Sequence, residues 1–199
     1  MFWDSGCKVT PSKTGEVKNC RKVIQYYSHA DTKDDEGGHG THVCGSVMGR
    51  RSTAGGYVAK STNSGGNNGK DVDGMARDAK LAFFDIGWFD PDAINAEGTK
   101  GADVLKIPSV TSVFDIGKLA GATFHSASWG TSSASLSATA RGVDSYMHAN
   151  DEWLVLVAAG NSGEGNEDPP NLSTWNVLGT IGAPATAKNI LSVGATQGK

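Results

Sequence analysis

Two short apolar runs, residues 122–128 (ATFHSAS) and 153–159 (WLVLVAA), each end in a glycine turn, and the residues between them at 136–149 have the length and composition of a helix. Strand, helix and strand in succession demand parallel pairing, because a helical crossover returns the chain to the same edge of its sheet. Further runs of the same kind lie at 79–86 (AKLAFFDI) and 190–195 (ILSVGA), and residues 21–27 (RKVIQYY) read as a strand leading into an acidic loop at 31–36. From His39 onward, Val43, Val47 and Met48 recur at helical spacing, with Gly45 and Ser46 small enough for close packing, which predicts a helix buried in the core. The expectation is an α/β fold, a mainly parallel sheet flanked by helices. In such sheets ligands gather at the carboxyl ends of strands, which singles out Ser128-Trp129-Gly130 and Gly160-Asn161-Ser162.

Composition sets the bounds. At 199 residues and 38% hydrophobic, the chain can bury one sizeable core, and neither a second domain nor an internal repeat is legible. No apolar run is long enough for a membrane span, and the N-terminus lacks the pattern of a signal peptide. A net charge of -3 argues against a nucleic-acid partner, which needs clustered Lys and Arg. The 27 glycines gather in loops, as at residues 65–69. Of three cysteines, Cys7 and Cys20 are close enough to bridge in an oxidising compartment, leaving Cys44 over. Asn171-Leu172-Ser173 is a glycosylation triplet that would suit a secreted protein.

The chemistry is concentrated in two segments. In His39-Gly40-Thr41-His42-Val43-Cys44-Gly45, a histidine at a helix start, flanked by Gly38 and Gly40, can bring its imidazole to a cleft as general base. The competing readings are a helix start with two incidental histidines, or zinc held by His39, His42 and Cys44. Residues three apart share a helix face and residues five apart do not, which disfavours the metal. In Val157-Ala158-Ala159-Gly160-Asn161-Ser162-Gly163, the Asn161 carboxamide can donate to a developing oxyanion, or simply form the turn after a buried strand.

Together the two segments resemble the histidine and oxyanion-asparagine motifs of the subtilases, the subtilisin-like serine proteases. Between them, in matching order, Gly74-Met75-Ala76-Arg77-Asp78-Ala79-Lys80-Leu81 is similar to the segment leading into the next core strand of that family. His125-Ser126-Ala127-Ser128-Trp129-Gly130 looks like the strand end that pairs with an extended substrate, and residues 182–195 resemble the stretch after the asparagine. The resemblance implies a three-layer fold over residues 1–199, incomplete at both ends. It implies serine-type endopeptidase activity on polypeptides through an acyl-enzyme, with His39 and Asn161 catalytic. Ser128, Trp129, Gly130, Ala158, Ala159 and Gly160 would line the substrate groove. No cofactor or metal is implied by the residues; calcium is common in the family, but no dense ligand set is readable. Secretion follows from family habit alone.

The nucleophile is missing from this pattern. In the family's order of Asp, His and Ser, the serine motif should follow Ala195, so these 199 residues by themselves should be inactive. Ser132, in Gly130-Thr131-Ser132, imitates that motif but precedes Asn161. Asp4-Ser5-Gly6 matches the aspartate motif but lacks the apolar strand before it, leaving Asp4 or an upstream residue as the partner of His39. Asp34 and Asp35 read as an acidic loop that faces solvent or binds a cation, and Cys44 as a small buried residue or, alternatively, a reactive thiol. The rival to a protease is a catalytically dead pseudoprotease that keeps only the peptide-binding groove.

Overall fold

In the computed structural model, which describes residues 7, 9–34, 37–49, 73–95, 97–131, 134–162 and 179–195, the chain divides into two units, one up to Ile107 and one from Pro108. In the first, β1 (Val23–Ser28) is followed by α1 (His39–Met48) and β2 (Leu81–Asp85), and β1 and β2 pair in parallel with Tyr26 opposite Phe83 and Tyr27 opposite Phe84. Aromatic cross-strand partners stabilise a sheet beyond the area they cover. Their ring centroids lie 5.1 and 4.7 Å apart. Before β1, Cys7 and Cys20 form a disulfide with a Cα–Cα distance of 5.5 Å, and the buried Gln25 donates from Nε2 to the Gly15 carbonyl at 2.9 Å. The bridged segment thus lies along β1, touching it at Ser12–Tyr27 and Val17–Gln25.

Helix α1 departs from the expectation of a fully buried helix: none of its residues is buried, and Val43, Val47 and Met48 are half-covered. It packs by one face, where Gly40 faces Phe83, rather than on all sides. Two strands that the periodicity does not announce follow. β3 (Gly87–Ile94) and β4 (Lys100–Leu105) form an antiparallel pair whose register breaks between Asp90 and Ile94, the stretch that contains Pro91. Proline removes a ladder donor and is tolerated in a strand chiefly at such irregularities.

The second unit holds α2 (Val110–Leu119), β5 (Phe124–Ala127), α3 (Ala138–Ala149), β6 (Leu154–Ala158) and β7 (Leu191–Val193), with the strands parallel in the order β5-β6-β7. Both helices begin at a serine cap, Ser109 Oγ accepting from the Ser112 amide and Ser137 Oγ from that of Ala140. The buried stripe of α3, Ala140, Val143 and Tyr146, meets Val110, Val113 and Phe114 of α2, and a Cβ on Gly142 would sit 2.9 Å from Val110 Cγ2. Phe114 is the hub of this core, with its ring 4.8 Å from Tyr146, 5.0 Å from His125 and 5.7 Å from Trp153. Val155 and Val157 point inward from β6. Burying each such side chain stabilises the fold by about 1.5–3 kcal/mol. Among the described residues, no helix is long and apolar enough to cross a membrane.

Candidate active site

His39 is the first residue of α1 and is exposed. Gly38 precedes it with φ 62°, a left-handed conformation that glycine alone adopts without a Cβ penalty, and this bend aims the helix start. The Thr41 amide donates to Asp34 Oδ2 at 3.1 Å. A Cβ on Gly40 would lie 3.4 Å from Phe83 Cζ, so the absence of a side chain lets the first turn sit against β2.

The far end of α1 is held by the segment that leads into β2. The amides of Gly74, Met75 and Ala76 donate to the carbonyls of Gly49, Ser46 and Val47 at 2.7, 3.2 and 2.6 Å. Those carbonyls have no acceptor role inside the helix, so the segment satisfies what the helix end leaves open. The approach is so close that a Cβ on Gly74 would fall 2.6 Å from the backbone nitrogens of Met48 and Gly49. Lys22, 2% exposed, locks the same segment to the start of β1 by donating from Nζ to the carbonyls of Arg77 and Ala79. One short stretch therefore ties β1, the far end of α1 and β2 together. Burial, helped by the charge of Asp34, pushes the Cys44 thiol up to about 11.

In the second unit, Ser128, Trp129 and Gly130 follow the carboxyl end of β5, and Ala159, Gly160 and Asn161 follow that of its neighbour β6. Residues 182 and 183 join the two: the Gly182 amide donates to the Ala159 carbonyl at 3.2 Å, and the Ala183 carbonyl accepts from the Thr131 amide at 2.8 Å. A Cβ on Gly130 would meet that carbonyl at 2.9 Å, and Gly160 has φ 100°, so each glycine is required where it stands. Gly130, Ala158, Gly160 and Asn161 are exposed, while Ser128, Trp129 and Ala159 are half-buried. The structure thus brings the six groove candidates and Asn161 to one end of one sheet. His39 belongs to the first unit and Asn161 to the second.

The family model described as "Subtilase family" matches residues 8–199. The chain belongs to the subtilase family. It is 31% identical over 202 residues to the serine protease/ABC transporter B family protein tagB of Dictyostelium discoideum, covering 99% of this chain and 9% of that protein. It is 34% identical over 185 residues to the serine protease/ABC transporter B family protein tagD of the same organism, covering 90% of this chain and 8% of that protein. The chain spans less than a tenth of the length of these curated relatives. A subtilase is a hydrolase of the serine-protease class with an α/β fold, and the parallel sheets and flanking helices here agree with it.

Several features of this subtilase site have no clear signal in the sequence. Asp34 accepts from α1 instead of belonging only to a solvent-facing loop, and neither Lys22 nor Ala183 stands out from its neighbours. The helix cap could have been sought from the glycine at the N-cap, which leaves a donor to be satisfied from elsewhere. The other two depend on contacts 52 to 57 residues apart, which no local pattern reveals. Among the described residues no three His, Cys, Asp or Glu side chains are placed to share a metal ion. Asp4, Asp35, Ser132, Asn171 and the 65–69 loop lie outside the described residues.

Proposed function

We propose that this subtilase chain carries the general base and the oxyanion donor of a serine endopeptidase that cleaves polypeptides through an acyl-enzyme. What carries this reading is that both motif segments occur in family order within one matched stretch, with His39 exposed on the first turn of α1 and Asn161 exposed just past β6. His39 takes the proton of the attacking serine hydroxyl and returns it to the leaving amine; water then repeats the sequence to release the acid. Asn161 donates from Nδ2 to the oxyanion as the carbonyl becomes tetrahedral. The nucleophile is assigned to a serine C-terminal to Ala195, so activity belongs to the longer polypeptide. Substrate backbone pairs with Ser128, Trp129 and Gly130 on one side and faces Ala158, Ala159 and Gly160 on the other. This chemistry asks for no cofactor. The Cys7–Cys20 disulfide supports an oxidising, secretory location.

The test is to express the full-length gene product and measure peptide hydrolysis together with labelling by a fluorophosphonate. His39→Ala should lower kcat by about 10⁶ and Asn161→Ala by about 10²–10³, the losses that the equivalent substitutions cause in subtilisin itself. Peptide binding without hydrolysis or labelling would make the protein a pseudoprotease.

A further inference from the structure

The first turn of α1 lacks the cap that the other two helices possess. Ser109 and Ser137 serve α2 and α3 from their own N-cap positions, whereas the N-cap of α1 is Gly38, which has no side chain to offer. The left-handed backbone there, φ 62° and ψ 28°, favours glycine over a serine cap. Thr41, the third residue of the helix, owns one of the amides that no carbonyl of the same helix can accept. Its N–H points to Asp34 Oδ2 at 3.1 Å. The same carboxylate lies 3.6 Å (Oδ1) from where a Cβ of Gly40 would be and 3.8 Å (Oδ2) from that of Gly38. It therefore runs beside both residues that flank His39.

We propose that Asp34 is a positioning residue for His39: a cap supplied from four residues upstream of the N-cap, which holds the first turn of α1 and with it the base. The proposal rests on the reading of His39 as general base. A negative charge at a helix N-terminus opposes the positive end of the helix dipole, so the carboxylate supplies field as well as a hydrogen bond. The consequence for reactivity follows from the place of His39. A residue in the first helical turn moves when that turn frays, and an imidazole displaced by about 1 Å loses up to about a hundredfold in rate. Thr41 makes the contact, yet the residue that feels it is two positions earlier, at the exposed end of the helix.

The experiment uses the full-length protein, with Asp34→Ala and Asp34→Asn compared for kcat, KM, thermal midpoint and amide hydrogen exchange in the peptide covering residues 37–48. Asp34→Ala should lower kcat about ten- to a hundredfold with KM within about twofold, and should raise exchange at the start of α1. Asp34→Asn keeps an acceptor and should recover kcat to within about threefold of wild type. The proposal is overturned if Asp34→Ala leaves kcat within about twofold, if Asp34→Asn is no better than Asp34→Ala, or if the loss follows global unfolding at the assay temperature. A wild-type protein that hydrolyses nothing sinks the peptidase reading alone. In that case exchange decides about Asp34, and unchanged protection in Asp34→Ala refutes the cap.

Discussion

Cys44 shows how a residue's surroundings decide between two meanings that its identity leaves open. Its thiol is pushed from 9.0 to about 11, first by burial and then by the carboxylate of Asp34, so at pH 8 the thiolate is about one part in a thousand. Iodoacetamide should alkylate the native protein at half-covered Cys44 about a hundredfold more slowly than the same thiol in urea; equal rates would show that its surroundings do not hold the thiol protonated. The two motifs are legible because histidine and asparagine keep their chemistry wherever they are read, and the glycines beside them announce the turns. Asp34 is only half legible as a cap: Gly38 announces that a donor must be satisfied from elsewhere, but the backbone bend that brings Asp34 to it is not encoded in any local pattern. At this scale the sequence names the actors, and the backbone assigns the supporting ones.

Among the elements, those with continuous apolar runs are readable: β1, β2, β5, β6 and β7 fall within the runs at 21–27, 79–86, 122–128, 153–159 and 190–195, give or take a residue. The β3–β4 pair is hidden by Pro91 and by aspartates at 90, 92 and 103, which blur any two-residue alternation. Helix α2 is hidden by the β-branched Val110, Thr111 and Val113 and by Gly117, all weak helix formers that tertiary packing overrides. The segment from Gly74 into β2 is readable in the sequence only by likeness, and the structure gives it a physical purpose: it closes the carbonyl end of the histidine helix. A Gly74→Ala substitution should destabilise the first unit by about 1–3 kcal/mol, because the new methyl would meet backbone that cannot step aside. Urea unfolding followed through β1 and β2 reports it, and a change below about 0.5 kcal/mol would contradict the close approach.

For the chain as a whole, acid acts through buried groups, most strongly through His125 in the second unit. His125 is partly accessible as a residue, but its ring sits edge-on to Phe114, and burial lowers its pKa from 6.5 to about 4. The unfolded chain takes up that proton first, so stability is full above about pH 6.5 and is lost as pH falls toward about 4. Asp144 continues the trend in stronger acid. Burial alone would raise its pKa, but the amides of Asn189 and Lys188, at 2.9 and 2.7 Å, and the Lys188 ammonium hold it below the ordinary carboxylate value. Its contribution is present above the unfolded pKa and disappears as pH drops through the folded one. Thermal midpoints of the second unit should therefore fall between pH 6.5 and 4, and His125→Leu should flatten that window; an unchanged slope would assign the effect elsewhere. In the first unit the disulfide closes a loop with a sequence separation of 13, and its reduction should cost about 3 kcal/mol in the chain-entropy account, measurable as a fall in the urea midpoint with dithiothreitol. The hydrogen bond from the Gly74 amide to the Gly49 carbonyl, at 2.7 Å, has a meaning for engineering and for descent as well. The chain leaves α1 at Gly49 and is tied back to it at Gly74, so both ends of the intervening sequence are fixed at one place. An insertion between those two anchors would begin and end at the same fixed place, so length can change there without moving the histidine, and a reporter domain spliced between them would test it.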